Sequence, residues 1–218
     1  MGYSAEDFRR EADVSRETFD LFTQWHTLLM KWNRAVNLVS PRDLEQFWQR
    51  HALDSWQVAG LMPHRVASAI DLGSGAGFPG LAVGIAMKQR GEGRVLLVES
   101  AGKKANFLRT TARELDLPVD VTDARAESLP KQGFDLVTAR AFAPLPRLLA
   151  YAHPFWCEDT VGLFLKGESV ADEVAAASKD WSFASNAHGS RSSPSGVVLE
   201  VSGLCKREEP GLSPTRLA

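Results

Sequence analysis

The segment that most constrains this chain lies between residues 70 and 80 and reads Ile-Asp-Leu-Gly-Ser-Gly-Ala-Gly-Phe-Pro-Gly. An apolar strand pattern runs into it and an apolar helix pattern follows it, so the glycines form the turn between the two. Gly73, Gly75 and Gly77 alternate along that turn. Without Cβ atoms the backbone can approach a ligand closely, and the unpaired N–H groups of the following helix point toward it. The segment therefore predicts a strand–turn–helix unit that binds a nucleotide-like cofactor.

Two kinds of cofactor are compatible with this spacing. Gly75, Gly77 and Gly80 fit the G-x-G-x-x-G fingerprint of dinucleotide-binding folds. Asp71 argues against a dinucleotide, because a carboxylate inside the loop repels a pyrophosphate but suits an ammonium group. Pro79 also stands where the dinucleotide motif has a helix under way, although proline is acceptable in a first turn. An acid followed by alternating glycines is the pattern of methyltransferases that use S-adenosylmethionine (SAM), whose cofactor carries a cationic amino acid moiety and no phosphate.

A second acid follows the next predicted strand. Residues 94–98 are an apolar run, and Glu99 comes directly after it. A strand–helix–strand unit places Glu99 beside the glycine loop, at the carboxyl edge of the sheet where ligands bind in such folds. We predict that its carboxylate accepts the hydroxyls of a ribose. The alternative is a solvated acid at a strand end.

The sequence pattern divides the chain into three parts. Residues 1–60 predict an N-terminal helical extension, with one helix starting near Asp43. Residues 61–205 alternate strands and helices, which indicates an α/β domain with a Rossmann-like parallel sheet that ends in an antiparallel hairpin. Residues 206–218 hold two prolines and little apolar mass, which predicts a disordered tail.

A stripe of large apolar residues marks one helix of the extension: Leu21, Trp25, Leu28 and Trp32 recur at helical spacing. The stripe predicts a helix packed on the sheet domain. The alternative, a platform on which bases stack, is less favoured.

Composition limits the classes of function. The 218 residues are 44% hydrophobic, enough for one α/β domain with an appendage. No apolar run could span a bilayer and the N-terminus is polar, so we expect a cytoplasmic protein without membrane contact. The two cysteines and five histidines show no ligand spacing, so we expect no metal. The net charge of −2 requires any nucleic acid contact to come from a local patch.

Several further segments resemble one family. They are residues 31–40 with Arg42 and Asp43, residues 50–55, residues 102–104 with Phe107 and Leu108, residues 139–143 and residues 165–167. Together with the glycine loop they resemble the glucose-inhibited division protein B family, bacterial 16S ribosomal RNA guanine-N7 methyltransferases. The resemblance runs through residues 20–170 in order, and little of it extends beyond Gly167.

The resemblance implies a seven-stranded SAM-dependent methyltransferase sheet and one guanosine of 16S ribosomal RNA, near the decoding region, as acceptor. The substrate is then the RNA or a small-subunit assembly intermediate, and we expect a monomer. Carried over by motif, the implied cofactor contacts are Gly73, Phe78, Ala126, Glu127 and Arg140. Two positions depart from the family pattern, since Glu99 replaces a common Asp and Ala76 a common Pro. Neither changes the charge type.

The chemistry of that acceptor needs no general base. Guanine N7 already carries a lone pair in the ring plane, so the enzyme has only to align the reactants and exclude water. Arg140 is the candidate for orienting the base, and its alternative is an ion pair with Asp135 or Glu127. The basic residues predicted to hold RNA are Arg34, Arg50, Lys103, Lys104 and Lys166, with Arg42 and Arg109 as further members.

Two other functions stay open at the level of sequence. A small-molecule methyltransferase is compatible with the slightly acidic charge balance. A nicotinamide-dependent oxidoreductase would use the fingerprint formed by Gly75, Gly77 and Gly80.

Overall fold

The computed structural model of the protein describes residues 2–207. These residues contain one seven-stranded sheet in the order β3-β2-β1-β4-β5-β7-β6. The strands are β1 (Ser68–Leu72), β2 (Arg94–Val98), β3 (Val119–Thr122), β4 (Leu136–Arg140), β5 (Val161–Lys166), β6 (Trp181–Gly189) and β7 (Val197–Lys206). The first five run parallel, and β7 pairs antiparallel with both β5 and β6. The predicted parallel sheet with a terminal antiparallel hairpin is confirmed.

Helices cover the sheet and form the N-terminal extension. They are α1 (Ala5–Glu11), α2 (Arg16–Asn33), α3 (Pro41–Glu45), α4 (Asp54–Leu61), α5 (Gly80–Arg90), α6 (Gly102–Glu114), α7 (Leu145–Ala152) and α8 (Val170–Ala177). A π-helical segment, Phe47–Leu53, joins α3 to α4, and short 3₁₀ turns cover Ala126–Ser128 and His153–Phe155. None of the helices within residues 2–207 is long and apolar enough to cross a membrane.

The helix predicted to start near Asp43 begins at Pro41 and is divided into three helical segments. The chain forms α3, then the π-helical segment, then α4. The wider π-helical turn, with its i→i+5 spacing, brings Phe47, His51 and Ala52 to the buried side together. Helices α7 and α8 are additions that the sequence analysis did not identify.

The apolar stripe of α2 packs on the sheet domain. Trp25 is fully buried, and its ring lies 4.8 Å from the ring of Phe78 in the glycine loop. Trp25 Nε1 also donates a hydrogen bond to the carbonyl of Ala76 at 3.3 Å. The N-terminal extension therefore contacts the glycine loop directly and shares a hydrophobic core with the sheet domain.

The three-part division of the chain stays a prediction. Strand β7 ends at Lys206, so the first residue of the predicted tail belongs to the sheet. Residues 208–218 of that tail lie outside the described residues.

Candidate functional site

The glycine loop links the end of β1 to the start of α5. Gly73 and Gly75 have φ of +69° and +56°, in the left-handed region that disfavours side chains. A Cβ at residue 73 would overlap the ring of Phe142, which comes from the loop after β4. A Cβ at residue 75 would find only the carbonyl oxygen of Gly73, at 3.9 Å. Gly73 is therefore required by packing, whereas the backbone at Gly75 faces open space.

Glu99 connects the glycine loop to the loop after β2. Its side chain is largely buried, with Oε2 accepting from the Gly75 N–H at 2.9 Å and Oε1 from the Ala101 N–H at 2.7 Å. A carboxylate oxygen has two lone pairs, so each oxygen retains one acceptor site. The carboxylate can therefore accept a pair of neighbouring hydroxyls while it keeps the loop in place.

A cleft of about 260 Å³ opens at this edge of the sheet. Its walls are Gly73, Val98, Glu99, Ser100, Ala124, Arg125, Ala126, Glu127, Phe142, Ala143, Pro144, Arg147 and Tyr151. These residues follow β1, β2, β3 and β4, so the cleft lies at the carboxyl edge, where open α/β sheets bind ligands. The cleft brings together Gly73, Glu99, Ala126 and Glu127, four of the predicted cofactor residues.

Other cleft residues were missed by the sequence analysis. Arg147 and Tyr151 lie one turn apart on α7, and the guanidinium donates to the Tyr151 hydroxyl at 2.8 Å from Nη2. Phe142 contacts the Tyr151 ring edge-on, with ring centroids 5.2 Å apart. Pro144 directly before an apolar i, i+4 pattern was the available signal for this helix.

Asp71 lies beneath the loop and does not line the cleft. Its side chain is 0% exposed, and Oδ1 accepts from the Thr138 hydroxyl at 2.7 Å. Oδ2 faces the first residue of α5, since a Cβ at Gly80 would come within 2.7 Å of it. Burial raises the pKa of Asp71 to about 6, and the hydroxyl of Thr138 and the backbone of Gly80 oppose that rise. Contact between Asp71 and the cofactor ammonium stays a prediction.

The position of Asp71 has a consequence for the kind of ligand. The N-terminus of a helix attracts anions, and dinucleotide folds place a pyrophosphate there. In this chain the carboxylate of Asp71 already lies against the start of α5. A second anion at that point would meet a like charge, which disfavours a dinucleotide.

Phe78 and Gly77 face the N-terminal extension. The Phe78 ring stacks on His51, with centroids 4.6 Å apart and planes 16° apart, and its other contacts include Trp25. A Cβ at Gly77 would overlap the side chain of Leu81. Neither residue is among those that line the cleft. Their predicted contact with the cofactor is untested, and their visible role is to join loop and extension.

Arg140 ends β4 on the side of the extension. Its Nη1 donates to the carbonyl of Arg50 at 3.0 Å, and its guanidinium carbon lies 5.9 Å from the centre of the Phe78 ring. Within residues 2–207 it forms no ion pair with Asp135 or Glu127. Asp135 lies at the opposite end of β4, where it accepts from the backbone and hydroxyl of Ser68.

His51, in the π-helical segment, is a buried polar side chain next to Phe78. It is 6% exposed, and neither ring nitrogen has a hydrogen-bond partner within the described residues. Burial lowers the pKa of His51 to about 3, and the positive charge of Arg140 contributes. The imidazole is therefore neutral at physiological pH, and it neither accepts a proton nor carries charge there.

A second cavity, of about 490 Å³, lies beside Arg140 between the extension and the β6–β7 loop. We call it the basic cavity. Its lining is Arg42, Gln46, Gln49, Arg50, Asp54, Arg140, Ala141, Leu165, Lys166, Gly167, Ser190, Ser192, Ser193, Ser195, Gly196 and Val197. Arginine and lysine outnumber carboxylates here, which gives a local positive field on a chain of net charge −2.

The predicted RNA-binding residues do not form one cluster. Arg50 and Lys166 line the basic cavity, and Lys166 Nζ is held by Glu173 at 2.7 Å. Lys103 and Lys104 lie in the first turn of α6, and Arg34 follows the end of α2. Their contacts with RNA stay predictions. Within residues 2–207 no cluster of histidine, cysteine and carboxylate side chains could hold a metal ion.

The cleft fits the nucleoside part of SAM. Glu99 retains two acceptor sites of the kind that ribose hydroxyls need, and Ala126 and Glu127 form part of the cleft wall, whereas Gly75 is not among the residues that line it. The carboxylate of Asp71 already lies against the start of α5, and SAM carries no phosphate that would need that position.

Comparisons with solved structures find the same fold in other proteins. A mutant of MtNAS in complex with S-adenosylmethionine superposes with a TM-score of 0.55 at 17% identity, covering 92% of this chain and 84% of that chain. The fibrillarin/Nop5p complex gives a TM-score of 0.53 at 14% identity, covering 71% and 81%. At these identities the likeness shows the fold alone. It confirms the predicted Rossmann-like methyltransferase sheet.

Comparisons of sequence are more specific. The family model GidB, rRNA small subunit methyltransferase G, matches residues 18–195. The ribosomal RNA small subunit methyltransferase G of Caulobacter vibrioides is 46% identical over 184 residues, which cover 84% of both chains. The protein of that name from Parvibaculum lavamentivorans is 42% identical over 202 residues, covering 92% of this chain and 89% of the relative. The chain therefore belongs to the GidB family of SAM-dependent methyltransferases of small-subunit ribosomal RNA.

Proposed function

We propose that this chain transfers the methyl group of SAM to N7 of a guanosine in 16S ribosomal RNA. The family assignment supports RNA of the small subunit as the substrate. The observation that carries the proposal is the position of residues 140–144. This segment borders the cleft at the carboxyl edge of the sheet through Phe142, and it borders the basic cavity through Arg140 and Ala141. A donor bound in the cleft and an acceptor at the basic cavity meet across one loop.

Each part of the chain has a separate task in this reaction. When bound, SAM supplies a methyl group on a positively charged sulfur. Glu99 holds the ribose side of the cleft, and the backbone at Gly75 permits close approach. Arg140 orients the guanine through its planar guanidinium, which donates to a base edge or stacks on it. Held in line with guanine N7 by these residues, SAM would supply the methyl group, and its sulfur would keep the electron pair of the carbon–sulfur bond.

No side chain has to remove a proton. The lone pair of guanine N7 is the nucleophile, so alignment and exclusion of water provide the rate enhancement. His51, which stacks on Phe78, and Asp71, beneath the glycine loop, are buried titratable groups of this region, and neither is placed to remove a proton. His51 has a pKa of about 3 because it is buried, and Asp71, with a pKa of about 6, lies beneath the loop and away from the cleft.

The form of the substrate, the oligomeric state and the cellular location are part of the same proposal. The substrate is the 16S RNA or a small-subunit assembly intermediate, and the protein acts as a monomer in the cytoplasm, where that RNA is made. A small-molecule methyltransferase is less well supported, because the basic cavity offers several cations where a small neutral acceptor needs none.

The test is mass spectrometry of ribosomal RNA nucleosides from cells with and without this chain. We expect 7-methylguanosine in 16S RNA to fall by one residue per small subunit in the deletion and to return with the purified enzyme and SAM. Unchanged 7-methylguanosine, or a methyl group on another atom, contradicts the proposal.

A further inference from the structure

The loop between β6 and β7 forms one wall of the basic cavity. Residues 190–196 read Ser-Arg-Ser-Ser-Pro-Ser-Gly, and four serines of this stretch line the cavity together with Arg42, Arg50 and Arg140. The loop lies beyond the motifs that carry the family resemblance, and the reaction described above does not use it. We call it the serine loop.

Asp54 fixes the serine loop to the N-terminal extension. Its Oδ1 accepts from the Ser190 hydroxyl at 2.8 Å, and its Oδ2 accepts from the Ser192 hydroxyl at 2.7 Å. The Ser190 oxygen also accepts from the backbone N–H groups of Ser192 and Ser193 at 3.1 Å. Asp54 is 7% exposed, so both hydrogen bonds are shielded from water. The loop is therefore held in one conformation before any ligand arrives.

A second connection comes from Gln57, one turn along α4. Its Nε2 donates to the carbonyl of Gly189 at 2.7 Å, and its Oε1 accepts from the Arg191 N–H at 3.0 Å. Side chains from α4 thus hold residues 189–192, at the β6 end of the loop, and leave the side chains of Ser193 and Ser195 on the cavity wall without such contacts.

The side-chain groups of the cavity wall that have no partner among the described residues are mostly hydrogen-bond donors. Within residues 2–207 the hydroxyls of Ser193 and Ser195 make no hydrogen bond, and Arg42 and Arg50 form no ion pair. The one carboxylate on the wall, Asp54, already accepts two serine hydroxyls. Arg140 has donors beyond the one used by the Arg50 carbonyl. A wall of guanidinium and hydroxyl donors matches a phosphate, whose oxygens accept from both.

We propose that the serine loop, held by Asp54, binds a phosphodiester of the RNA strand next to the acceptor nucleotide. This proposal rests on the proposed function. Ser193 and Ser195 donate to the phosphate oxygens, and Arg50 supplies the charge. Contact with the backbone positions the strand, while Arg140 reads the base.

The test uses a Ser193→Ala/Ser195→Ala double variant and 16S RNA from cells that lack this chain. Each lost hydrogen bond is expected to weaken RNA binding about fivefold, and the KM for RNA should rise with it. The affinity for S-adenosylhomocysteine should not change. A Ser182→Ala/Ser185→Ala variant is the matched control, because both serines are exposed on β6, away from the cavity.

The salt dependence of RNA binding distinguishes the ionic contact of Arg50 from the hydrogen bonds of the serine loop. An Arg50→Gln variant removes one cation, so the slope of log K against log salt should decrease by about 0.7 for a single strand. The serine double variant should bind more weakly at every salt concentration with the slope unchanged. Asp54→Asn, which weakens the hold on the loop, should show the same pattern as the serine variant.

Two results overturn the proposal. If the Ser193→Ala/Ser195→Ala protein binds and methylates the RNA as the wild type does, the serine loop does not contact it, and the proposed function stands. If the wild-type protein leaves the RNA unmethylated, the proposed function fails and this inference fails with it.

Discussion

At the scale of single residues, the glycine loop shows that neighbouring positions serve different purposes. Gly73 makes room for Phe142, whereas Gly75 faces open space beside the Glu99 carboxylate. Asp71, two positions before Gly73, is buried under α5. The predictions for these residues therefore differ.

A Gly75→Val variant is expected to lose binding of S-adenosylhomocysteine. The branched side chain would fill the space that the ligand needs, at a φ of +56° that disfavours it. Titration calorimetry measures the loss. Gly91→Val is the matched control, because Gly91 has a similar φ of +71° and open space around it but lies at the far end of α5. Equal loss of binding in both variants would mean that strain, and not contact with the cofactor, is responsible.

Arg140→Lys is expected to lower the single-turnover methylation rate more than it weakens cofactor binding. The lysine keeps the charge and loses the planar fork that orients a base. Arg140→Ala should be slower still. Arg94→Lys serves as a control, since Arg94 is exposed and pairs with Asp120 at the opposite edge of the sheet. A normal rate at low temperature together with a reduced melting temperature would instead assign Arg140 a structural role.

Asp71→Asn is expected to change how stability depends on pH. Burial raises the pKa of Asp71 from 3.8 to about 6, so the folded protein binds this proton more tightly than the unfolded chain does. The resulting stabilisation is complete below pH 3.8 and is lost as the pH rises through 6. The variant should therefore gain stability relative to wild type between pH 4 and pH 7, by on the order of 3 kcal/mol.

Denaturant unfolding of both proteins across this range provides the measurement. The titration of His51 is common to both and cancels in the difference. A stability difference that stays constant from pH 4 to pH 7 would show that Asp71 is not held in a charge-disfavouring site.

At the scale of elements, the N-terminal extension and the loops of the sheet act as one unit. The π-helical segment supplies His51 to the Phe78 ring and the Arg50 carbonyl to Arg140. Helix α2 supplies the Trp25 N–H to the glycine loop. Contacts from the extension therefore support both the glycine loop and Arg140.

Trp25→Phe should weaken cofactor binding although Trp25 does not line the cleft. The change leaves the buried carbonyl of Ala76 without its donor, which costs about 1–3 kcal/mol and loosens the loop. Trp48→Phe is the control, because Trp48 packs on Phe19 and Phe8 in the extension without a hydrogen bond to the loop. We expect both variants to melt earlier and only Trp25→Phe to raise the Kd for S-adenosylhomocysteine. If the two variants bind S-adenosylhomocysteine with the same Kd, the Trp25 hydrogen bond does not support cofactor binding.

At the scale of the whole molecule, a chain of net charge −2 has the basic cavity beside the cleft at the carboxyl edge of the sheet. The proposed function assigns RNA binding to this cavity and methyl transfer to the cleft on the other side of the loop after β4. The pH dependence of the methylation rate tests the proposed mechanism as a whole, because any titratable group that takes part in the chemical step would appear in it.

Single-turnover methylation should vary little between about pH 6.5 and 8.5, the range in which a typical histidine or tuned base titrates. His51 has a pKa of about 3 and stays neutral throughout. Measurement on folded RNA with excess enzyme isolates the chemical step. A slope near one per pH unit would reveal a general base that the proposed mechanism lacks.

Local pattern determined much of this protein. The glycine loop with its flanking strand and helix, the acid after β2 and the parallel sheet were all predictable. Hydrophobic periodicity and glycine spacing report on residues close together in the chain. The family motifs added Ala126 and Glu127, which do line the cleft.

Only the tertiary structure decided which neighbours the side chains of the loop contact. Asp71 and Phe78 belong to the predicted loop, yet one is buried under α5 and the other packs on the extension. The basic cavity joins Asp54 to Ser190 across 136 positions of sequence. Burial and hydrogen bonding between such distant residues depend on how elements pack, and no local periodicity encodes that packing.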